Sequence, residues 1–345
     1  MKRIFDMLKK LIYMFLLLLV SNSAVQAFTF KIATLSPDGS VWMNKMRAGA
    51  NEINEKTDNR VSFKFYPGGI MGGDKNVLRK MQFGQLHGAA MPNTGLASVY
   101  PDIQLYNLIL KFKSLQELDY AREKMDSFLL AGLKKKKLVS FGISEMGFAY
   151  IMSTTPVANL ADLRQQKTWV PNSHRIAIHA FEASKISPIP LPLRDVLMGL
   201  QTGMINAVAG TPTGALALQW HTKIKYVTDV PLSYIYGIFV INEKSFKKIS
   251  KKDQQIVTKV MRQVVIDIDK QSRQDNLNAI AALKSQGIEF VAVKAGAIAE
   301  LKKVMETANQ KIIRASGLSE KLVRQLNSYL SDFASKTVQV VGAGV

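Results

Sequence analysis

The chain of 345 residues contains no cysteine. This excludes disulfides, thiolate nucleophiles and zinc or iron–sulfur sites that cysteines would ligate. Acidic residues are also few, with 26 Asp and Glu against 46 Lys and Arg, which gives a formal charge of +20. Such a charge first suggests a nucleic acid or an anionic membrane as the partner. Because 47% of the residues are hydrophobic, the chain can bury a large core, and its length allows two domains.

The N-terminus has the pattern of an export signal. The basic segment Met1–Lys10 precedes the apolar run Leu11–Val20, and a short polar stretch then leads to Val25-Gln26-Ala27. We predict a signal peptide over residues 1–27 and a mature protein that starts at Phe28. The apolar run is shorter than the roughly 20 residues that span a bilayer, so a retained anchor is the weaker alternative. Without cysteine there is no lipid-anchor site, and the mature protein should be free in an exported compartment.

Strands and helices alternate in the first part of the mature chain. Phe28 to Leu35 alternates apolar with polar or small residues and predicts a strand, as does Val61 to Tyr66, with helical spacing of apolar residues between them. Asp74 suits the start of a second helix, and His87 to Met91 predicts a third strand. This order implies a parallel sheet with ligands at the carboxyl ends of its strands.

A second α/β unit is predicted at about 150–236. It follows a helix at Ser114–Lys137 and two strands at Leu138–Ile143 and Phe148–Ser153. From Lys251 to Gln286 the sequence has neither Pro nor Gly, which predicts one helix of roughly 35 residues and on the order of 50 Å, enough to cross two domains. A last strand at Glu289–Val293 and two closing helices within Ala295–Lys336 complete the predicted elements.

Catalytic motifs are absent from the sequence. It has no Gly-x-Ser-x-Gly elbow, no phosphate loop, no His-Glu-x-x-His and no dinucleotide fingerprint, and the glycines of Gly68–Gly73 are interpreted as a surface turn. The histidines His87, His174, His179 and His221 are too dispersed for a metal site. We therefore expect no enzyme, no metal and no cofactor, although a fold of this kind is compatible with catalysis.

The basic residues do not form a nucleic-acid surface. The runs Lys134–Lys137 and Lys247–Lys252 are not interleaved with aromatic residues, as a groove for single strands would require. An acidic protein or a membrane surface is a better candidate partner than nucleic acid.

Several local motifs, in their order and spacing, resemble the periplasmic substrate-binding subunit of TRAP transporters, the DctP-like family. The resemblance covers most of Phe28 to about Val260. The matching segments are Phe30-Lys-Ile-Ala-Thr34, Tyr66-Pro-Gly-Gly-Ile-Met-Gly-Gly-Asp74, Asp162-Leu-Arg-Gln-Gln-Lys-Thr-Trp-Val-Pro171, Ser187-Pro-Ile-Pro190, Leu200-Gln-Thr-Gly203 and Asn242-Glu243.

The resemblance implies an α/β, two-domain periplasmic-binding-protein (clamshell) fold with a long helix that spans both domains. Domain I would comprise residues 28–149 plus about 237–270, and domain II residues 150–236 plus about 271–345 with the C-terminal helices. It also implies a periplasmic protein without enzymatic activity, which closes on a small molecule and delivers it to a sodium-driven membrane permease.

One departure from the family concerns the ligand. The family's signature arginine, which holds a ligand carboxylate, is replaced here by Trp169 in Lys167-Thr-Trp-Val-Pro171. Because a bidentate arginine–carboxylate pair is strong and geometrically specific, the usual mode of dicarboxylate binding is not expected. Arg175 or Arg164 could substitute only from a displaced position. Trp169 could alternatively be a core residue.

The local alignment with the family gives a set of candidate ligand-binding residues at the cleft. They are Asp38, Ser40, Asp74, Met91, Asn93, Trp169, Leu193, Gly210, Thr211, Thr213 and Tyr236. Several of them are apolar or aromatic, which predicts a hydrophobic, aromatic or amphipathic ligand. Two alternatives remain open at this point: a chemoreceptor-linked sensor, and a carrier of lipids or hydrophobic ligands that works with a periplasmic tetratricopeptide-repeat (TPR) partner.

Overall fold

The computed structural model of this protein describes the backbone of residues 27–342 and the side chains of residues 27–336. The predicted signal peptide lies, except for Ala27, outside the described residues. Strands and helices alternate in an α/β fold with two lobes joined by long shared elements.

The strands are β1 Phe28–Thr34, β2 Val61–Tyr66, β3 Gly88–Pro92, β4 Leu138–Ser153, β5 Thr168–Pro171, β6 Ile189–Leu191, β7 Ala207–Gly210, β8 Tyr226–Thr228, β9 Ser233–Asn242 and β10 Glu289–Val291.

The helices are α1 Val41–Lys56, α2 Asp74–Gln82, α3 Leu115–Lys135, α4 Leu160–Arg164, α5 Arg175–Ala183, α6 Val196–Gln201, α7 Pro212–Ala217, α8 Glu243–Phe246, α9 Lys251–Ser285, α10 Ala297–Ser316 and α11 Glu320–Gly342. Short 3₁₀ turns occur at Asn93–Leu96, Pro101–Asn107, Leu193–Asp195 and Trp220–Thr222.

The first lobe is built on the strand order β2-β1-β3-β9-β4. Its first three strands are parallel, which confirms the prediction, and β9 and β4 then add antiparallel. The alternation in β1 buries Phe30 and Ile32 completely. The second lobe has β6, β5 and β7 parallel to one another, with β7 antiparallel to β4. The parallel strands of both lobes direct their carboxyl ends toward the space between the lobes.

Strand β4 connects the lobes and corrects one prediction. The sequence predicted two strands here, Leu138–Ile143 and Phe148–Ser153, but Leu138–Ser153 is one continuous strand. Gly142 and Gly147 have positive φ values of 147° and 112° and lie at shifts in the β4–β9 register, so they form irregularities rather than breaks. The strand pairs with β9 up to residue 149 and with β7 and β8 beyond it.

The predicted long helix is confirmed as α9. It begins after Ser250, whose hydroxyl accepts a hydrogen bond from the backbone of Asp253 at 3.0 Å. Its first half buries residues such as Val257 and Met261 in the core of the first lobe, and Leu283 near its end lies in the core of the second lobe. The helix is therefore a rigid element shared by both lobes.

The two C-terminal helices contact different parts of the molecule. Helix α10 packs on α5 of the second lobe, whereas α11 packs on α3 of the first. Helix α11 is fastened by the backbone N–H of Ser319, which donates to Asp102 at 2.6 Å, and by a hydrogen bond from Lys111 to Asn327. The exact division of the chain into two domains stays a prediction.

Candidate functional site

Two connected cavities lie between the lobes, at the carboxyl ends of the parallel strands, where α/β sheets typically bind ligands. We call the cavity of about 540 Å³ the larger cavity and that of about 380 Å³ the smaller cavity. They share a mostly apolar set of lining residues, which we call the neck. The neck comprises Leu35, Pro92, Met146, Leu193, Thr211, Gly214 and Leu218.

The larger cavity is formed by the start of α1, by α7 and by one face of α9. Trp42 of α1 is half-buried at its edge. The residues contributed by α9 recur at helical spacing and include Ile268, Gln271, Asp275 and Ala279. A long helix therefore provides a continuous wall for this cavity.

The smaller cavity has an aromatic wall from the second lobe. Trp169 of β5 is 2% exposed, and its ring centroid lies 5.4 Å from that of Trp220. Its indole N–H donates to the carbonyl oxygen of Leu191 at 3.0 Å, so its polar atom needs no ligand. Trp169 thus belongs both to the core of the second lobe and to the cavity wall. With Trp42, all three tryptophans of the chain line one of the two cavities.

A hydrogen bond between polar side chains joins the two lobes at the smaller cavity. Asp74, at the start of α2, accepts a hydrogen bond from the hydroxyl of Ser173 in the second lobe at 3.1 Å. Burial raises the pKa of Asp74, and the Ser173 hydrogen bond only partly opposes this. Among the described residues no Lys, Arg or His forms an ion pair with Asp74. This carboxyl group is therefore an acceptor at the cavity without a cationic partner.

His174 lines the same cavity and is neutral. Its Nδ1 accepts a hydrogen bond from the backbone N–H of Ala177 at 3.2 Å, which caps α5. The ring is 7% exposed, and burial lowers the pKa of His174 to about 4. Because Nδ1 accepts, the ring proton is on Nε2, which is a hydrogen-bond donor with no acceptor among the described residues.

Arginine is nearly absent from the cavity walls. Within residues 27–336, Arg194 is the one arginine that lines either cavity, and its exposed side chain pairs with Asp195 at 3.5 Å. Arg164 instead donates to the carbonyl oxygen of Ser184 at 2.9 Å, and Arg175 is exposed and lines neither cavity. The walls have no buried arginine of the kind that holds a carboxylate.

Behind the neck, charged side chains form a network that we call the hinge cluster: Arg122, Asp126, Glu145, Asp269 and Arg273. Arg122 of α3 donates to Asp269 of α9 at 3.0 Å and to Asp126 at 3.3 Å. The backbone N–H of Glu145 in β4 also donates to Asp269, at 2.6 Å. Arg273 donates to the buried Glu145 carboxylate at 3.0 Å. The hinge cluster joins α3, β4 and α9 where the chain passes between the lobes.

Most of the predicted ligand-binding residues line the cavities. Those that do so are Ser40, Asp74, Met91, Trp169, Leu193, Gly210, Thr211 and Thr213. Thr211 caps α7, since its hydroxyl accepts from the backbone N–H of Gly214 at 3.1 Å. Thr213 donates to Asn276 of α9 at 3.2 Å, which joins two walls of the larger cavity.

Three predicted residues line neither cavity, although their chain neighbours do. Asp38 is exposed and pairs with Arg47 at 2.9 Å. Asn93 is fully buried and donates to the carbonyl oxygen of Ile103 at 2.8 Å. Tyr236 is also fully buried, and its hydroxyl donates to the same carbonyl.

The alternation of side chains explains the position of Tyr236. Successive residues of a strand face opposite sides of the sheet. In β9 the cavity-lining residues are Ile235 and Gly237, so Tyr236 points into the core.

Several lining residues were missed by the sequence reasoning. They include Trp42, Met146, Ser173, His174, Arg194, Trp220 and the α9 face. The α9 face was detectable, because its small and polar residues recur every three or four positions. Ser173 and His174 lie two and three residues after Pro171, the end of β5, and the rule that ligands bind at strand carboxyl ends could have found them.

No helix among the described residues has the length and apolar character needed to cross a bilayer. Within the same part of the chain, no group of three or more His, Asp or Glu side chains is arranged to hold a metal ion.

Two lobes with shared crossing strands and a cavity between them define a solute-binding protein of the clamshell class. The chain belongs to the bacterial extracellular solute-binding protein family 7, DctP, whose profile matches residues 32–316. Relatives and structural neighbours of the chain include periplasmic solute-binding proteins, several of them solved as TRAP periplasmic solute-binding proteins.

Named relatives share the fold at low identity. The sialic acid-binding periplasmic protein of Vibrio cholerae is 23% identical over 81% of this chain and 88% of its own length. The TRAP solute-binding protein of Desulfovibrio salexigens, solved with orotic acid, has a TM-score of 0.79 at 17% identity and covers 90% of this chain and 99% of its own. The sugar acid binding protein of Advenella mimigardefordensis, solved with galactonate, has a TM-score of 0.81 at 17% identity, with 89% and 99% covered.

Proposed function

We propose that this protein captures a small, mainly apolar organic molecule between its lobes and delivers it to the membrane permease of a TRAP transporter. The observation that carries this proposal is the wall of the smaller cavity: an indole, Trp169, occupies the strand position where the resemblance places the carboxylate-binding arginine. Apolar and aromatic side chains line most of both cavities. Such linings, with a few polar groups, are typical of sites for apolar ligands.

The named relatives bind acids, and this cavity differs from what a carboxylate requires. Burying a ligand carboxylate without a cationic partner costs on the order of several kcal/mol of binding free energy. The cationic side chains on the wall of the smaller cavity, Lys75 and Arg194, are exposed. Asp74, an acceptor without a cationic partner, lines the same cavity and adds no favourable contact for a carboxylate. We therefore expect sugar acids and dicarboxylates to bind weakly.

Closure follows from the connections between the lobes. Strands β4 and β9 and helix α9 join them, and the Asp74–Ser173 hydrogen bond links them across the cleft. A ligand that contacts both walls stabilises the closed arrangement, because it shifts an equilibrium between open and closed forms.

The proposal is tested by titrating residues 28–345 with the neutral fluorescent probe N-phenyl-1-naphthylamine. We expect saturable binding of one probe molecule with quenching of tryptophan fluorescence, and a smaller radius of gyration in X-ray scattering. Galactonate, succinate and orotic acid should not displace the probe. Absence of saturable probe binding together with tight binding of one of these acids would contradict the proposal.

A carboxylate placed at the neck tests the position of the site, and the same substitution on the surface is its control. Leu193→Asp buries a carboxylate between the cavities and should weaken probe binding by at least about tenfold, since each 1.4 kcal/mol is a factor of ten. Met198→Asp makes the same change at a side chain that is 67% exposed and lines neither cavity. It should leave probe affinity unchanged.

Delivery to a permease is tested in cells. Uptake of the ligand should require both this protein and the membrane subunits, and should fail with Leu193→Asp. Uptake that persists without the membrane subunits would contradict the transport role. The comparisons give no support for the TPR-partner alternative or for a sensor.

A further inference from the structure

Resting on the proposed function, we propose that the ligand is an elongated apolar molecule with a hydroxyl group at one end. The hydroxyl lies between Asp74 and His174 in the smaller cavity. The apolar body extends past Leu193 into the larger cavity.

The donor for the hydroxyl is His174. Its Nδ1 is engaged by the backbone of Ala177 at 3.2 Å, so Nε2 carries the proton, and no described residue accepts a hydrogen bond from it. The side chain is 7% exposed and lines the smaller cavity. Its Nε2 is not among the buried polar atoms that lack a partner, so this donor is open to the cavity and available to an acceptor supplied by the ligand.

The acceptor for the hydroxyl is Asp74. Ser173, the residue before His174, donates to one carboxyl oxygen of Asp74 at 3.1 Å. The hydrogen bond of Ser173 brings the acceptor on the first lobe close to the donor on the second lobe, and both residues line the smaller cavity. A hydroxyl both donates and accepts, so it satisfies Asp74 and His174 together. A carboxylate only accepts, and an ammonium only donates, so each leaves one of the two groups without a partner.

The elongated shape follows from the two cavities and their neck. Each volume, about 540 Å³ and about 380 Å³, lies within the range of complete small-molecule sites. The neck between them is lined mainly by apolar side chains such as Met146, Leu193 and Leu218. On the far side, Trp42 and Leu216 continue the apolar surface. A compact ligand would fill one cavity, whereas a chain-like ligand uses both.

A matched series of chain molecules tests both parts of the inference. The probes are 1-hexanol, 1-octanol and 1-decanol, and the alkanoates of the same lengths, measured by displacement of N-phenyl-1-naphthylamine. We expect each alcohol to bind at least about tenfold more tightly than its alkanoate, and about fourfold tighter binding for each added methylene. Alkanoates that bind as tightly as the alcohols, or alcohol affinity that does not grow with length, would overturn the inference.

Variants at the polar end separate recognition from folding. His174→Ser keeps a side chain that can cap α5 but cannot reach the ligand, and Asp74→Asn keeps an acceptor for Ser173. Each should weaken 1-decanol binding by about tenfold, the effect of leaving one polar group unpaired. The controls His179→Ser and Asp58→Asn alter residues outside both cavities and should change nothing. Equal effects of variants and controls would overturn the assignment of the hydroxyl site.

A variant in the larger cavity tests the position of the chain. Ala282 lines only that cavity, and Ala282→Leu fills part of it. Binding of 1-decanol should weaken while binding of 1-hexanol is retained. If the variant binds both alcohols as tightly as the wild type does, the alkyl chain of the ligand does not lie in the larger cavity.

The failure of this inference can be distinguished from the failure of the proposed function. If the fluorescent probe binds and the alkanoates bind more tightly than the alcohols, only this inference fails. If neither probe nor alcohols bind while an organic acid does, the proposed function fails with it.

Discussion

The hinge cluster and the smaller cavity both contain polar side chains with little exposure, but these side chains are paired in the hinge cluster and incompletely paired in the smaller cavity. In the hinge cluster, Arg122 and Arg273 are paired with carboxylates from elements distant in the sequence. In the smaller cavity, Asp74 lacks a cation and the Nε2 of His174 lacks an acceptor within the described residues. Pairing holds a framework in one arrangement, whereas polar groups that line a cavity without a complete set of protein partners are available to a ligand. The contrast separates the parts that position the lobes from the parts that bind.

The largest effect is expected from breaking the hinge cluster. Arg122→Ala leaves Asp269 and Asp126 without their shared cation and should lower the free energy of unfolding by about 4 kcal/mol, measured by urea denaturation. Arg262→Ala, at an exposed position on α9, is the control and should have no measurable effect. A loss of less than about 1 kcal/mol in Arg122→Ala would show that the network is not a framework.

The second effect concerns Trp169, which belongs to both a core and a cavity wall. Trp169→Ala should destabilise the protein by about 3 kcal/mol, because it opens a cavity beside Trp220, and it should also weaken probe binding. Trp169→Phe keeps much of the packing, so thermal denaturation of this variant should be close to that of wild type. Loss of stability in Trp169→Ala with unchanged probe affinity would assign Trp169 to the core alone.

A smaller effect is expected from pH, through His174. Its folded pKa of about 4 is below its ordinary value near 6.5, so between these values the unfolded chain binds a proton that the folded chain does not. The contribution of neutral His174 to the free energy of unfolding is therefore present above pH 6.5 and is lost as the pH falls toward 4. From pH 7 to pH 5 the loss should be about 2 kcal/mol.

The same denaturation curves measured with His174→Asn isolate this contribution, because other groups, including Asp74 with its raised pKa, act in both proteins. Wild type should lose more stability than the variant on acidification. Parallel curves would show that His174 is not a buried neutral group.

The next effect in size is the loss of a helix cap at the neck. Thr211→Ala removes the acceptor for the backbone N–H of Gly214 and should cost about 1 kcal/mol of stability in urea denaturation. Thr211→Ser retains that acceptor and should restore the stability. A destabilised serine variant would indicate that the methyl group, not the cap, is important.

The smallest effect is expected at Asp38, which the sequence placed among the ligand-binding residues. Its side chain is 64% exposed and pairs with Arg47 outside both cavities. Asp38→Asn should leave probe affinity unchanged in the displacement titration. A clear loss of affinity would return Asp38 to the binding site.

The sequence predicts the alternating elements well, because period-two strands and the uninterrupted α9 depend on local patterns. It fails at β4, where two separate strands were predicted, although long-range pairing with β9 continues the strand through Ser144, Glu145 and Gly147. Local rules cannot reveal such pairing. The continuity of β4 from one lobe to the other is therefore visible only in the folded chain.

The candidate site shows the same limit at the scale of single side chains. The segments predicted to bind the ligand line the cavities, but at Asn93 and Tyr236 the residue chosen faces the core while its neighbours line a cavity. Residues one position apart in a strand point to opposite faces of the sheet, so an error of one position selects a side chain on the wrong face. The histidines were interpreted as surface or capping residues; His174 does cap α5, but its burial depends on the packing of that helix and could not be predicted.

The most direct test of the account is native mass spectrometry of the protein purified gently from its exported compartment, followed by extraction and identification of the bound molecule. We predict one apolar, hydroxyl-bearing molecule for each protein, and none bound to Leu193→Asp purified in the same way. A sugar acid or another organic acid bound in equimolar amount would contradict the account.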